Sequence, residues 1–132
     1  MKYIFDSSAI YIAIKQNKIE NLADNYTHEL ARYELGNTIW KDHFLKAKIS
    51  EQTAKDLTKI VNQTLNIMTM LETAGKEEEI LQTAIQTKTT YYDASYVYLA
   101  KIKDLQLVTE DLRLIKKITP TIKASTLSEI GS

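Results

Sequence analysis

The sequence predicts an α/β fold in which a central, mainly parallel sheet of about five strands is flanked by helices on both faces. Three observations carry this reading. Short apolar runs recur along the 132 residues, separated by longer stretches whose apolar residues return at three- and four-residue steps. The first run ends in an acid of the kind that caps helices, so strand, cap and helix follow one another at the outset. The composition, 44% hydrophobic and 26% charged with three Gly and one Pro, is that of an ordinary globular chain. A chain of this length buries roughly two thirds of its unfolded surface, so residues 1–132 are expected to form one domain with no disulfide or structural metal.

Tyr3-Ile4-Phe5 reads as a buried strand. Asp6-Ser7-Ser8 supplies oxygens for the free amides of a first helical turn, and the helix runs from Ala9 to about Gln16. Residues 18–25 carry only a weak strand signal near Leu22 to Tyr26. From Thr27 or His28 a long helical pattern extends to about Lys46, with Leu30, Ala31, Leu35, Ile39 and Phe44 in step. Ser50 caps a further helix whose stripe is Ala54, Leu57, Val61 and Leu65, and Leu65 to Leu71 holds a possible strand before the break at Gly75. Lys76 to Gln86 predicts a helix with Ile80, Leu81, Ala84 and Ile85 inward and Glu77-Glu78-Glu79 favourably placed in its first turn. Tyr92 to Lys103 is apolar on nearly every side, which predicts a helix buried between other elements. Gln106 to Thr109 is a strand leading into Glu110-Asp111, and Thr121 to Ala124 is a last possible strand.

Several chemistries are excluded. Gly36, Gly75 and Gly131 cannot form a Gly-rich phosphate loop. His28-Glu29-Leu30-Ala31-Arg32 begins like a zinc-protease helix but has Arg32 where the second ligand belongs. No Ser lies in a nucleophile elbow. The absence of Cys removes thiol catalysis and is compatible with a reducing, cytoplasmic setting. No apolar run approaches a membrane span, and an acid at position six argues against a secretory signal. Lys plus Arg balance Asp plus Glu at 17 each, and the only arginines are Arg32 and Arg113, so nucleic acid would have to be held locally rather than by bulk charge.

Carboxylate chemistry remains. Asp6 and Asp111 each follow a strand, and parallel neighbouring strands would bring both to one edge of the sheet. Asp93 opens the apolar helix. Glu34 interrupts the long helix with Asn37 and Thr38 at its i+3 and i+4 positions, so no salt bridge accounts for it. Each acid also has a structural explanation: Asp6 and Asp111 as caps, Asp93 three residues after Thr90, and Glu34 as a solvated helix acid. Gathered at one crevice, the four would repel one another unless a hard divalent cation such as Mg²⁺ or Mn²⁺ held them.

Order and spacing resemble the PIN domain, and within it the VapC-type toxin ribonucleases, over essentially the whole chain. The matching motifs are Ile4-Phe5-Asp6-Ser7-Ser8, Tyr33-Glu34-Leu35-Gly36-Asn37, Asp93-Ala94-Ser95-Tyr96 and Thr109-Glu110-Asp111. Some relatives carry a further Asp where this chain has Arg113, which leaves the fourth corner to Asp111 alone or to Asp111 with Glu110. The resemblance implies an Mg²⁺- or Mn²⁺-dependent endoribonuclease. Asp6 and Asp93 would touch metal, Glu34 and Asp111 would bind it directly or through water, and Ser7, Asn37 and Thr109 would play supporting parts. It also implies an RNA substrate, an antitoxin protein and a homodimer. Lys15, Lys41, Lys46 and Lys48 are candidate phosphate contacts or simply a solvated face. Tyr91, Tyr92, Tyr96 and Tyr98 are candidate base-stacking groups or core. A housekeeping PIN nuclease of RNA maturation and a catalytically silent PIN-like scaffold are the alternatives. A receiver-type signalling module, which needs an acidic pair after the first strand, is disfavoured by the lone Asp6.

Overall fold

The computed structural model describes residues 2–130. Five strands, β1 (Tyr3–Phe5), β2 (Tyr26–His28), β3 (Thr69–Leu71), β4 (Gln106–Val108) and β5 (Ala124–Ser125), form one all-parallel sheet in the order β3-β2-β1-β4-β5. Helices α1 (Ser7–Lys15), α2 (Leu30–Trp40), α3 (Glu51–Ile67), α4 (Glu77–Thr87), α5 (Tyr91–Lys103) and α6 (Leu112–Ile118) make the connections. The predicted fold class is the observed one.

Alternation along β1 decides what lies on each face, because successive strand residues point to opposite sides. Phe5 joins a core with Ile10, Leu35, Ile39 and Leu65 from α1, α2 and α3. Ile4 joins Tyr96, Leu99, Leu114 and Ile118 from α5 and α6 on the other side. Helix α4 packs on α5 through Ile80, Ala84 and Ala94. Both cores meet at β1 and β4, where Ile4, Phe5, Leu107 and Val108 are fully buried.

Some boundaries differ from expectation. Thr27 and His28 lie in β2 rather than in a helix, which starts only at Leu30. The long second helix loosens at Trp40 into a π-helical stretch, Lys41–Leu45. Leu81 and Ile85 face outward, because α4 offers only the Ile80, Ala84 and Thr87 side to α5. Helix α5 is buried from Ala94 to Ala100 except at the half-buried Tyr98, yet Tyr91, Tyr92 and Ile102 at its two ends are exposed. Among the described residues no helix is long and apolar enough to cross a membrane.

Candidate active site

The parallel register of β1 and β4, with Phe5 opposite Val108, puts Asp6 beside Thr109 at the carboxyl edge of the sheet. The Asp6 amide extends the ladder by donating to the Val108 carbonyl at 3.1 Å. Asp6 is buried and caps α1: its Oδ1 accepts from the Ala9 amide at 3.1 Å and from the Ser8 hydroxyl at 2.6 Å. Ser8 Oγ also accepts from the Glu110 amide at 2.9 Å and lies 3.3 Å from Thr109 Oγ1, so one hydroxyl joins the ends of the two strands. Burial pushes the Asp6 carboxyl up to about 6. Hydroxyls of Ser8 and Thr109 and the Ala9 amide resist the rise, and the Glu34 carboxylate adds to it.

Glu34 sits one turn into α2, which leaves β2 on the other flank of β1. Its Oε1 accepts from the buried Tyr96 hydroxyl at 2.9 Å. Burial raises its pKa, Tyr96 and Ser7 hydrogen bonds oppose the rise, and Asp93 repels it. Asp93 lies in the first turn of α5, which runs down the sheet before β4 and so begins at the same edge. Thr90 Oγ1 caps this helix by accepting from the Asp93 amide at 3.1 Å. Burial raises the Asp93 pKa, Asp111 raises it further, and Thr90 and Lys117 act the other way.

Asp111 is exposed and caps α6, its Oδ1 accepting from the amides of Arg113 and Leu114, each at 3.1 Å. Thr109 Oγ1 accepts from the Asp111 amide at 3.2 Å and fixes the turn between them. Asp93 and Asp111 share a cleft of about 320 Å³ with Lys88, Arg113 and Lys117. Neighbour to neighbour, the four acids therefore form a row, Asp6–Glu34–Asp93–Asp111, in which each of the first three feels the charge of the next.

The supporting residues divide. Ser7 faces Glu34 and Thr109 is buried at the junction, whereas Asn37 is exposed on α2 with no side-chain hydrogen bond to an acid. Glu110 turns away, its Oε2 accepting from the Leu127 amide at 2.8 Å, which leaves Asp111 as the acid at this corner. Two further side chains complete the arrangement: Ser8, visible in the sequence only as part of a capping run, and Tyr96, a base-stacking or core candidate there, which is buried and whose spacing three residues after Asp93 places it on the same side of α5. His28 supports Tyr96 from below, with ring centroids 4.4 Å apart. Nδ1 of His28 accepts from the Leu30 amide at 3.3 Å, and Nε2 donates across 2.8 Å to Ser95 Oγ, whose own proton goes to the Tyr92 carbonyl. The bond accepted by Nδ1 requires the neutral ring, and burial pushes its pKa down to about 4.

Every donor in the acid row is a hard oxygen, the set that suits Mg²⁺ or Mn²⁺. Among the described residues no three His, Asp or Glu side chains gather into a ready cage. Mg²⁺ does not need one: it binds through one or two carboxylates and keeps several waters. The residues fit such an ion.

Comparison with known proteins gives the row a context. The chain is 33% identical over 129 residues to a protein named exonuclease VapC9 of Pyrobaculum aerophilum, covering 96% of this chain and 93% of that one. The chain belongs to the VapC-type PIN-domain family. A second relative from the same organism, named ribonuclease VapC3, is 26% identical and covers 89% of this chain and 95% of its own. The crystal structure of PAE2754, also from Pyrobaculum aerophilum, superposes with a TM-score of 0.82 at 27% identity, covering 98% of this chain and 93% of that one. No protein-family model matches the chain. Membership in the VapC-type family agrees with the α/β fold, which the superposition shares.

Proposed function

We propose that this protein, a single PIN-like domain over residues 1–132, is a nuclease that hydrolyses RNA phosphodiester bonds internally with Mg²⁺ or Mn²⁺. In this reading it is the toxin of a VapBC-type pair. The observation that carries the proposal is the row of four carboxylates at one sheet edge, three of them held toward protonation by burial and by one another. Such a site is relieved by a cation. The family's printed names, exonuclease for one relative and ribonuclease for another, supply the reaction class.

Asp6 and Asp93 would hold the ion, with Glu34 and Asp111 binding directly or through water. When bound, a divalent ion polarises the phosphodiester and lowers the pKa of the attacking water. The chain's own residues do the rest. Ser8 and Thr109 orient Asp6, Tyr96 and Ser7 orient Glu34, and Thr90 fixes the turn that presents Asp93. Exposed apolar residues along α2 and the stretch after it, Tyr33, Trp40, Phe44 and Leu45, support a bound antitoxin or a second copy, as do Leu81 and Ile85 on α4.

The test is cleavage of end-labelled linear RNA and of circular RNA with Mg²⁺, with Mn²⁺ and with EDTA, by wild type and Asp6→Asn. Metal-dependent opening of the circle, lost in Asp6→Asn, is the expected result. Cutting that survives EDTA or Asp6→Asn would remove the acid row as the site. The relative named exonuclease favours a second reading, attack from an end; linear RNA degraded while circles stay intact would select it.

A further inference from the structure

The cleft beside Asp93 and Asp111 holds more positive charge than the acids there account for. Lys88 at the end of α4 and Arg113 and Lys117 on α6 line it. Lys117 Nζ donates to the Lys88 carbonyl at 3.2 Å, which ties α6 to the α4–α5 turn and fixes the mouth of the cleft. Among the described residues the ion pairs are Arg32–Glu29, Lys46–Asp42 and Lys55–Glu51. None of the three cleft cations makes one, although two carboxylates line the same cavity. Lys117 already eases the charge on Asp93, but with no ion pair formed all three can also meet an anion from outside.

Lys88, like Asp104 at the end of α5, also sits in a backbone conformation that favours glycine. It caps α4 in the left-handed conformation, with φ 57°, where glycine is at ease and a long side chain is not. A charged residue stands at the position where the fold itself would be better served by glycine.

We propose that Lys88, Arg113 and Lys117 form a phosphate subsite that grips the RNA backbone next to the bond being cut. The proposal rests on the nuclease reading above. A strand laid along the acid row brings a neighbouring phosphate into this cleft, where the Arg113 guanidinium can meet two phosphate oxygens at once and the two ammonium groups act as point charges. The repulsion between the phosphates and the acids is thereby offset at one place, in a chain whose net charge is zero. Arg113 is central here, since it carries the only guanidinium in the cleft.

The experiment measures binding of a short mixed-sequence single-stranded RNA, in Mg²⁺ and across a salt series, to Asp6→Asn protein as the non-cutting parent. Lys88→Gly, Arg113→Gln and Lys117→Gln are then added to that parent singly. Each is expected to weaken binding and to lower the slope of log affinity against log salt by about 0.7, the value for one lost phosphate contact on a single strand. Arg113→Lys should recover the slope. Lys88→Gly should weaken RNA binding while raising the melting temperature, a combination that a purely structural lysine would not give. If all three variants keep the parental affinity and slope while wild type still cuts RNA, the subsite is wrong and the nuclease reading stands. If wild type neither binds nor cuts RNA in any metal, both fall together.

Discussion

At Asp6, burial and the nearby Glu34 work against the charge while two hydroxyls and an amide work for it, and burial wins: the carboxyl rises from 3.8 to about 6. Ionising it in the folded protein therefore costs on the order of 3 kcal/mol more than in the unfolded chain when no cation is present. Asn at this position keeps an oxygen for Ser8 and Ala9 and carries no charge. In EDTA at neutral pH we expect Asp6→Asn to be more stable than wild type by about 1–3 kcal/mol, measured by urea unfolding, even as it abolishes cleavage. Added Mn²⁺ should stabilise wild type and leave Asp6→Asn unchanged. Tyr96→Phe makes the complementary change. It removes the buried hydroxyl that Glu34 accepts from, and should cost about 1–2 kcal/mol while raising the Mn²⁺ concentration needed for half-maximal cutting; an unaltered Mn²⁺ requirement would reduce Tyr96 to packing. The acids themselves stand out in the sequence because each follows a strand or opens or interrupts a helix. Ser8 does not, since Ser7 and Ser8 are chemically equivalent until the start of α1 turns one toward Asp6 and the other toward Glu34.

Elements whose signal is local were readable, and those held by distant partners were not. Helix α3 declares itself through Ser50 as a cap and one apolar stripe, and α5 through Thr90; both caps are present in the structure. Strand β2 is three residues long, and two of them, Thr27 and His28, are polar. It exists because β1 and β3 offer backbone on either side and because Thr27 Oγ1 donates to the Phe5 carbonyl at 2.8 Å. Nothing within residues 26–28 announces that. The π-helical end of α2 is likewise set from outside its own sequence. Tyr11 on α1 donates to Asp42 Oδ2 at 2.6 Å, and the Lys48 amide returns to the Asp42 carbonyl at 2.8 Å. Tyr11→Phe leaves the mostly covered Asp42 carboxylate without that donor, at a cost of about 1–3 kcal/mol. If this contact holds the α2 end, amide exchange at Lys46 and Lys48 should accelerate in Tyr11→Phe while exchange at Leu107 and Val108 in the central sheet changes only as much as global stability does. Uniform acceleration across both regions would place the contact in the global core instead.

Across the whole molecule charge is balanced in number but not in position, with one buried and two half-buried acids at the carboxyl edge and a neutral imidazole packed against Tyr96 nearby. Asp6 and His28 consequently give opposite pH dependences. A folded acid with its pKa raised to about 6 binds more protons than the unfolded chain between about 3.8 and 6, so its contribution declines as pH rises through that window. The upward shifts of Glu34 and Asp93 act in the same direction. A folded His with its pKa lowered to about 4 binds fewer protons than the unfolded chain between about 4 and 6.5, so its contribution is full above 6.5 and is lost as pH falls through the window. The two effects are similar in size, on the order of 3 kcal/mol each, and they overlap. In wild type in EDTA the Asp6 and His28 contributions should therefore largely offset each other between pH 4 and 6, leaving a decline set by Glu34 and Asp93 and hiding the first two groups from a measurement on wild type alone. Asp6→Asn unmasks the histidine, and its advantage over wild type should grow as pH rises from 4 to 6. His28→Gln unmasks the acids, and its stability should fall over the same range. Parallel urea-unfolding profiles for the three proteins would mean that neither group is as deeply shielded as the packing of β1, β2 and α5 requires.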